Sequence, residues 1–328
     1  MALMSVALAG CGSEPLTMIV GTYTDECASR GVYSYYFDQE KGMLVGGDGG
    51  LFTEAPGAVS RVEMRNPSYL TLSADGKLVY AVSEVGDSLA SAVTLRLDSK
   101  TGAMQMLGSE LTDGKDPCYV STNGKVVMTA NYSSGNVTEF PIGEDGRLLP
   151  HDFLYDTGMG GPDSVRQNLP HAHCALFNAT GTELYVSEFS ADVVTRYDVA
   201  TRLGKRIQLP SDFGPRHIIL NTDESKAYVI GELSGNVVVI DTENDSVIQT
   251  VCADSLHARG CADIHLSPDG KFLYASVRLQ NDGIAIFKVD SDGTLTNAGY
   301  QPTGIHPRNF NITPNGTCLL VACRDSGC

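Results

Sequence analysis

The sequence predicts an all-β protein, a seven-bladed β-propeller built from four-stranded antiparallel blades. Two observations lead to this prediction. A strand–turn–strand pattern recurs along the chain, and no stretch of ordinary helix length shows sustained helical periodicity. The composition agrees, because 35 glycines in 328 residues provide many positions for tight turns. The hydrophobic share of 42% and the charged share of 19% are those of a globular protein.

The recurring unit is a strand, a turn containing Asp-Gly or a related pair, and a second apolar strand. Six copies lie at 70–84, 120–132, 175–189, 218–233, 264–279 and 311–325. Equivalent positions in successive copies are 43 to 57 residues apart. Periods of this size are typical of stacked supersecondary units, and Asn, Asp and Gly in the turns favour hairpins.

A third strand follows most copies, and a weaker fourth strand completes the number found in a propeller blade. Residues 18–38 match strands two and three of a seventh unit that lacks strand one, which a C-terminal strand would supply. The sequence ends just after strand two of its last unit. We therefore expect a truncated C-terminal blade in a single propeller domain over residues 16–328.

The first 15 residues read MALMSVALAGCGSEP, and the stretch from Leu8 to Cys11 resembles the lipobox of a bacterial lipoprotein signal. The positively charged start of a secretory signal is missing. We interpret residues 1–15 as a lipoprotein signal remnant with a lipid anchor at Cys11, which implies a periplasmic or outer-surface location. Without that signal, the protein would be cytoplasmic. No other segment reaches the roughly 20 apolar residues of a membrane helix, so we expect no membrane span.

The formal net charge of −16 makes nucleic acid and anionic lipid surfaces poor partners, because both carry negative charge. An anionic small molecule remains compatible with this charge if a local arginine cluster reverses the potential at its site.

Propeller geometry brings together the residues just before strand one and just after strand two of each unit. Before strand one these include His171, His173, Arg216, His217, Asp263, His265 and Arg308, and after strand two they include Asn131, Tyr132, Glu188, Glu232 and Arg278. Counting outward from the turns pairs His173 with Glu188, and Arg216 with Glu232. Structural polar contacts between blades are the alternative explanation for these residues. A purely structural repeat, however, should use the same residue type in each unit. These varied ionisable residues therefore predict a functional site on one face.

A metal site has little support in the sequence. His171 and His173 alternate along one strand and so share a face, but no third ligand accompanies them at a recognisable spacing. No Cys-x-x-Cys pair occurs either. We therefore predict a site without a metal or other cofactor.

Six motifs carry a resemblance to a known family: NPSYL at 66–70, ANYSSGNV at 130–137, PHAH at 170–173, GPRH at 214–217, IHLSPDGKFLYAS at 264–276 and HPRNF at 306–310. In these motifs, and over nearly the whole chain from 18 to 325, the sequence resembles the seven-bladed propeller lactonases. That family includes propeller-type bacterial 6-phosphogluconolactonases and fungal 3-carboxy-cis,cis-muconate lactonizing enzymes. Two positions depart from its pattern: Tyr119 stands where many relatives have His, and Asp263 where Glu is frequent.

The resemblance implies a metal-free catalytic site made of His173, Arg216, Glu232 and Arg278. The expected activity is hydrolysis of a sugar lactone such as 6-phosphoglucono-1,5-lactone. His173 is the expected base, with Glu232 orienting it or acting as base itself, and the arginines would hold an anion and stabilise developing charge. The expected substrate contacts are His171, His217, Asn131, Tyr132, Glu188, His265 and Arg308.

Two alternative functions stay open at this point. The same residues could serve a carboxy-muconate lactonizing reaction, in which a proton is delivered to carbon. A non-catalytic propeller that binds a ligand or a protein is the second alternative, because propellers host many functions.

Overall fold

The computed structural model describes residues 2–9, 15–25, 27–46 and 52–326. Within these ranges the regular secondary structure consists of 27 β-strands, with no helix. The strands form seven sheets: one with five strands, five with four strands and one with two. In the four-stranded sheets, strands adjacent in sequence are hydrogen-bonded neighbours. This antiparallel up-and-down order confirms the blade predicted from the repeat.

The first two sheets comprise β1 (Ala2–Ala9), β2 (Leu16–Tyr23), β3 (Gly31–Asp38), β4 (Met43–Val45) and β5 (Ser60–Glu63), then β6 (Leu70–Leu72), β7 (Leu78–Ser83), β8 (Ser91–Leu97) and β9 (Met104–Leu111). The next two comprise β10 (Pro117–Thr122), β11 (Val126–Asn131), β12 (Asn136–Pro141) and β13 (Phe153–Asp156), then β14 (Ala172–Phe177), β15 (Glu183–Glu188), β16 (Val193–Asp198) and β17 (Gly204–Gln208).

The last three sheets comprise β18 (Pro215–Leu220), β19 (Lys226–Gly231), β20 (Asn236–Asp241) and β21 (Ser246–Cys252), then β22 (Ile264–Leu266), β23 (Phe272–Val277), β24 (Gly283–Val289) and β25 (Leu295–Pro302), and finally β26 (Pro307–Ile312) and β27 (Leu319–Cys323). The final sheet thus contains two described strands.

The chain divides into two compact units. Unit 1 is drawn from Met1–Thr129, Thr138–Leu154 and Asn309–Cys328, and unit 2 from Ala130–Val137 and Tyr155–Arg308. Each unit has its own buried core. The core of unit 1 includes Tyr80 and Phe140, and that of unit 2 includes Tyr228 and Phe287. Full burial of a large apolar side chain contributes about 1.5–3 kcal/mol to folding.

The repeat is visible in the contacts of two equivalent tyrosines. In unit 1 the hydroxyl of Tyr80, on β7, donates to the carbonyl of Gly146 at 3.0 Å. In unit 2 the hydroxyl of Tyr228, on β19, donates to the carbonyl of Gly293 at 2.9 Å. Both glycines lie in turns and have positive φ, +82° and +83°, where glycine is favoured. Each buried tyrosine therefore holds the turn of a different repeat unit through the hydrogen bond of its hydroxyl group.

The first sheet corrects one expectation. Strand one was expected to be missing there, but β1 pairs antiparallel with β2, with Ala9 opposite Thr17 and Ala2 opposite Tyr23. The physical reason is the open edge of β2, whose unpaired backbone groups can bond to an apolar segment of extended chain. Cys11 lies outside the described residues, so the interpretation of residues 1–15 as a signal remnant stays a prediction.

Candidate active site

A buried carboxylate surrounded by arginines is the central feature of unit 2. Glu232 directly follows β19, and its backbone N–H donates to the carbonyl of Gly214 at 2.9 Å. Arg166 Nη2 donates to Glu232 Oε1 at 2.6 Å. Oε2 lies 2.9 Å from Arg216 Nε and 3.2 Å from Arg278 Nη2. One carboxylate therefore holds three guanidinium groups in a fixed arrangement.

The charges around Glu232 keep it ionised. Burial alone would raise the pKa of this carboxyl, but the guanidiniums of Arg278, Arg216 and Arg166 outweigh burial and lower the pKa to about 2. A carboxylate this weakly basic accepts a proton poorly at neutral pH. The arrangement favours Glu232 as the anchor of the arginines.

Backbone carbonyls complete the coordination of the two deeper arginines. Arg216 Nη1 donates to the carbonyl of Ala262 at 2.5 Å. Arg278 donates from Nε to Gly260 at 2.6 Å and from Nη2 to Cys261 at 3.2 Å. Their side chains are only 2% and 6% exposed, respectively. Burial lowers the pKa of Arg278 to about 9, so its guanidinium still carries its charge at neutral pH.

Two β-bulges position the histidines and Arg216. The register of β14 against β15 shifts between Ala172 and Cys174, which places His173 in the bulge. The register of β18 against β19 shifts between Pro215 and Ile218. A bulge changes the direction in which side chains point from a strand, and bulges are frequent beside active sites.

His173 is a buried, neutral imidazole. Its ring lies 5.5 Å from the Tyr132 ring and 5.4 Å from the His217 ring, both in edge-on geometry. Burial lowers the pKa of His173 well below its ordinary value, and the charges of Arg216 and of half-buried Arg308 lower it further. A neutral imidazole has a lone pair that can accept a proton.

His217 and Asp263 form a buried pair beside His173. Nδ1 of His217 lies 2.7 Å from Asp263 Oδ1, which assigns the Nδ1 proton to this bond and leaves Nε2 unprotonated. His265 Nε2 lies 3.1 Å from the other carboxylate oxygen. Burial would raise the pKa of Asp263, but the two histidines hold it well below its usual range. Asp263 therefore orients two of the predicted site residues.

The pKa of His217 predicts a loss of stability in mild acid. Burial, together with the charge of Arg216, lowers this pKa to about 4. Because folding favours the neutral ring, the stabilisation is complete above the unfolded pKa of ~6.5 and is lost as the pH falls towards 4. We expect His217 to contribute on the order of 3 kcal/mol to this loss. Urea unfolding at pH 7.5 and pH 5 should show a smaller difference in His217→Gln than in the wild type, and parallel pH curves would contradict the assignment.

Tyr132 and His171 stack against each other. Their ring centroids are 4.1 Å apart with planes 2° from parallel, and His171 Nδ1 lies 2.7 Å from the carbonyl oxygen of Tyr132. Asn131 donates from Nδ2 to Asn136 Oδ1 at 3.0 Å, within the same turn. His171 and Tyr132 therefore form one wall of the cluster, whereas this contact of Asn131 supports the turn.

Glu188 does not join the cluster through its described contacts. Its carboxylate accepts hydrogen bonds from Thr195 Oγ1, from the N–H of Gly158 at 2.9 Å and from Arg206 Nη1 at 2.9 Å. The bulge at His173 shifts the strand register, so Glu188 lies opposite Ala172. The predicted pairing of His173 with Glu188 is therefore wrong. The side chains of Arg216 and Glu232 do form an ion pair, although the bulge at 215–218 also displaces their predicted register and Glu232 bonds through its backbone N–H to Gly214.

The sequence prediction missed Arg166. This residue lies in the long connection between β13 and β14, where the repeat assigns no strand, and none of the six family motifs includes it. Its position a few residues before the Pro-His-Ala-His motif, in a strongly acidic chain, is the one signal that pointed to it. Among the described residues, no group of three or more His, Cys, Asp or Glu side chains is arranged to hold a metal ion.

Asp192 holds the segments that carry Arg166 and Arg216. Its buried carboxylate accepts hydrogen bonds from Gln167 Nε2 at 2.7 Å and from the backbone N–H groups of Asp212, Phe213 and Gly214 at 2.8 to 3.0 Å. These bonds join the segment before β18 to the segment before β14.

Replacement of Asp192 by alanine should cost about 3 kcal/mol or more, because several buried donors lose their acceptor. Asp192 has a φ of +53°, a conformation that asparagine tolerates better than alanine. Asp192→Asn is therefore the matched control and should cost much less. Urea unfolding of both variants measures the difference, and equal small losses would show that the carboxylate does not hold these segments.

The fold and the site define a class of protein: a β-propeller enzyme with histidines beside a buried arginine–glutamate cluster. The profile of the family described as Lactonase, 7-bladed beta-propeller matches residues 17–328. The chain belongs to this family, which confirms the resemblance seen in the motifs.

Individual relatives agree with the family match. The 6-phosphogluconolactonase of Bacillus subtilis is 30% identical over 324 residues, covering 94% of this chain and 88% of the relative. The crystal structure of a candidate 6-phosphogluconolactonase from Bacteroides uniformis aligns with a TM-score of 0.89 at 46% identity, covering 96% of this chain and 90% of that chain. The structure of a periplasmic gluconolactonase from Pseudomonas aeruginosa aligns with a TM-score of 0.84 at 29% identity, covering 95% and 89%.

Proposed function

We propose that this protein hydrolyses a sugar lactone that carries an anionic group, with 6-phosphoglucono-1,5-lactone as the leading substrate. The observation that carries the proposal is the cluster of three guanidiniums around Glu232, beside the neutral imidazoles of His173 and His217. Positive charge of this kind suits an anionic substrate, and a neutral imidazole suits activation of water. The names of the relatives support the same activity.

In the proposed reaction, His173 accepts a proton from water as the water oxygen bonds to the lactone carbonyl carbon. Arg216 and Arg278 supply fixed positive charge next to the oxyanion that develops. Because they are already ordered by Glu232 and by backbone carbonyls, little reorganisation is needed during the reaction. The bond from the carbonyl carbon to the ring oxygen then breaks, and the proton held by His173 passes to that oxygen.

Between the two expected bases, we propose His173 for the proton transfer and Glu232 for holding the arginines. The contacts of Glu232 support this division, because both of its carboxylate oxygens are already engaged by arginines. His217, oriented by Asp263, supports the edge of the His173 ring. Tyr132, His171, His265 and Arg308 remain proposed substrate contacts.

Two further assignments accompany this proposal. We propose a single propeller domain over residues 16–328, which the family match to residues 17–328 supports. A periplasmic or outer-surface location fits the lipobox interpretation and has a parallel in the P. aeruginosa relative, whereas the chain would be cytoplasmic without that signal. Within the described ranges, no helix has the length and apolar character needed to cross a bilayer.

A panel of lactones tests the proposal. Hydrolysis is followed by release of acid, with phosphorylated and unphosphorylated gluconolactone and carboxy-muconolactone compared at equal concentrations. We expect turnover of gluconolactones, fastest with the phosphorylated form. Preferential reaction of carboxy-muconolactone would favour the lactonizing alternative, and binding without turnover of any lactone would favour a non-catalytic propeller.

A further inference from the structure

Arg166 differs from the other two arginines of the cluster in its access to solvent. Its side chain is 39% exposed, whereas those of Arg216 and Arg278 are 2% and 6% exposed. The two buried guanidiniums are also committed to backbone carbonyls. An incoming substrate anion therefore meets Arg166 before it meets the other two.

The guanidinium of Arg166 keeps donors available for a ligand. Nη2 donates to Glu232 at 2.6 Å and to the hydroxyl of Tyr132 at 3.3 Å. Its central carbon lies 5.3 Å from the ring centroid of Phe189, a cation–π distance. Among the described residues, no hydrogen bond or ion pair uses Nε or Nη1 of Arg166. A phosphate group can accept charge-assisted hydrogen bonds from these remaining N–H groups.

The segment that carries Arg166 is fixed at several points. Asp163 Oδ1 accepts the backbone N–H groups of Val165 and Arg166 at 2.9 and 3.0 Å. Gln167 Nε2 donates to the carbonyl of Phe189 at 3.0 Å. Arg259 Nη2 donates to Asp163 Oδ2 at 2.6 Å. The guanidinium is thus held in place before a ligand arrives, which lowers the entropic cost of binding.

We propose that Arg166 binds the phosphate of the substrate and sets the preference for phosphorylated over unphosphorylated sugar lactones. This inference rests on the proposed function and gives Arg166 a role separate from the one shared by Arg216 and Arg278. Arg166 recognises the anion at the exposed side of the cluster, and Arg216 and Arg278 stabilise the charge that develops at the reacting carbonyl.

The kinetic test compares Arg166→Gln with the wild type on phosphorylated and unphosphorylated gluconolactone. Loss of a charge-assisted contact should raise KM for the phosphorylated lactone about 10- to 100-fold, with a much smaller change in kcat. KM for the unphosphorylated lactone should change little. Arg166→Lys keeps the charge but replaces the planar guanidinium by a single ammonium group, so its KM should lie between those of the glutamine variant and the wild type.

Arg196→Gln is the matched control. Arg196 is also a partly exposed arginine that pairs with a buried carboxylate, Asp245, at 2.9 Å. This ion pair lies at the opposite end of the sheet from Glu232. Lys226, at the start of β19, pairs with Asp241, at the end of β20, and Asp245 follows Asp241. Glu232 instead follows the other end of β19. This variant should retain the wild-type ratio of KM values. An equal loss for both lactones in Arg166→Gln would overturn the proposal.

A binding measurement separates this inference from the proposed activity. Calorimetry with 6-phosphogluconate and gluconate requires no turnover. We expect Arg166→Gln to weaken binding of 6-phosphogluconate about 10- to 100-fold and to weaken gluconate binding much less. If the wild type opens neither lactone, the proposed function fails, and calorimetry still decides the role of Arg166. Unchanged affinity for 6-phosphogluconate in the variant, or no binding of it by the wild type, would refute the phosphate role.

Discussion

Replacement of His173 by alanine is expected to lower kcat for lactone hydrolysis by ~10² to 10⁴, the usual loss for a general base. The reason is the position of this neutral, buried imidazole next to the arginine cluster. Steady-state kinetics with the phosphorylated lactone measures the effect, and circular dichroism checks that the variant is folded.

His171→Ala provides the comparison, because His171 stacks on Tyr132 at the wall of the cluster and lies in the same strand region. Its loss of kcat should be much smaller than that of His173→Ala. Activity that survives His173→Ala but collapses in Glu232→Gln would transfer the role of base to the glutamate.

Replacement of Glu232 by glutamine is expected to destabilise the protein by about 3–5 kcal/mol, because three guanidiniums lose a buried counter-charge. The cost should depend on pH. With a folded pKa of about 2 and an unfolded pKa of ~4.3, the ionised carboxylate stabilises the fold above pH ~4.3, and this stabilisation is lost as the pH falls towards 2. Urea unfolding at pH 7 and pH 3 should therefore show a smaller difference between variant and wild type in acid.

Glu183→Gln is the control for this effect. Glu183 lies 3.7 Å from Arg196 and is 37% exposed, so its removal should cost less than about 1 kcal/mol. If Glu232→Gln were as mild as this surface change, the carboxylate would not be holding the arginines. Activity should also fall in Glu232→Gln, because Arg216 and Arg278 lose their common anchor.

The repeat in the sequence predicted the sheets well, because hairpin turns and apolar alternation are local properties. The match of Tyr80 and Tyr228 shows that the repeat extends to individual contacts. The first strand was not predicted, because its pairing with β2 is not a local property of the sequence. Ala2–Ala9 resembles a signal peptide in composition, and only its pairing with β2 shows it as a strand.

The site was predicted in part. Arg216, Glu232 and Arg278 occupy repeat positions next to strand ends, so the register of the repeat brings them together. Glu188 occupies a similar position, but its carboxylate bonds to Arg206 instead. Arg166 comes from an irregular segment, and its approach to Glu232 depends on long-range contacts that no local pattern encodes.

The most direct test of the central claim is a double-variant cycle on kcat for phosphorylated gluconolactone, using His173→Ala, Glu232→Gln and the variant with both changes. Residues that act as one catalytic unit show strongly non-additive losses. We expect the double variant to be no slower than about the slower single variant. Losses that multiply as if the two sites were independent, or full activity in both single variants, would contradict the assignment of one reacting site around His173 and Glu232.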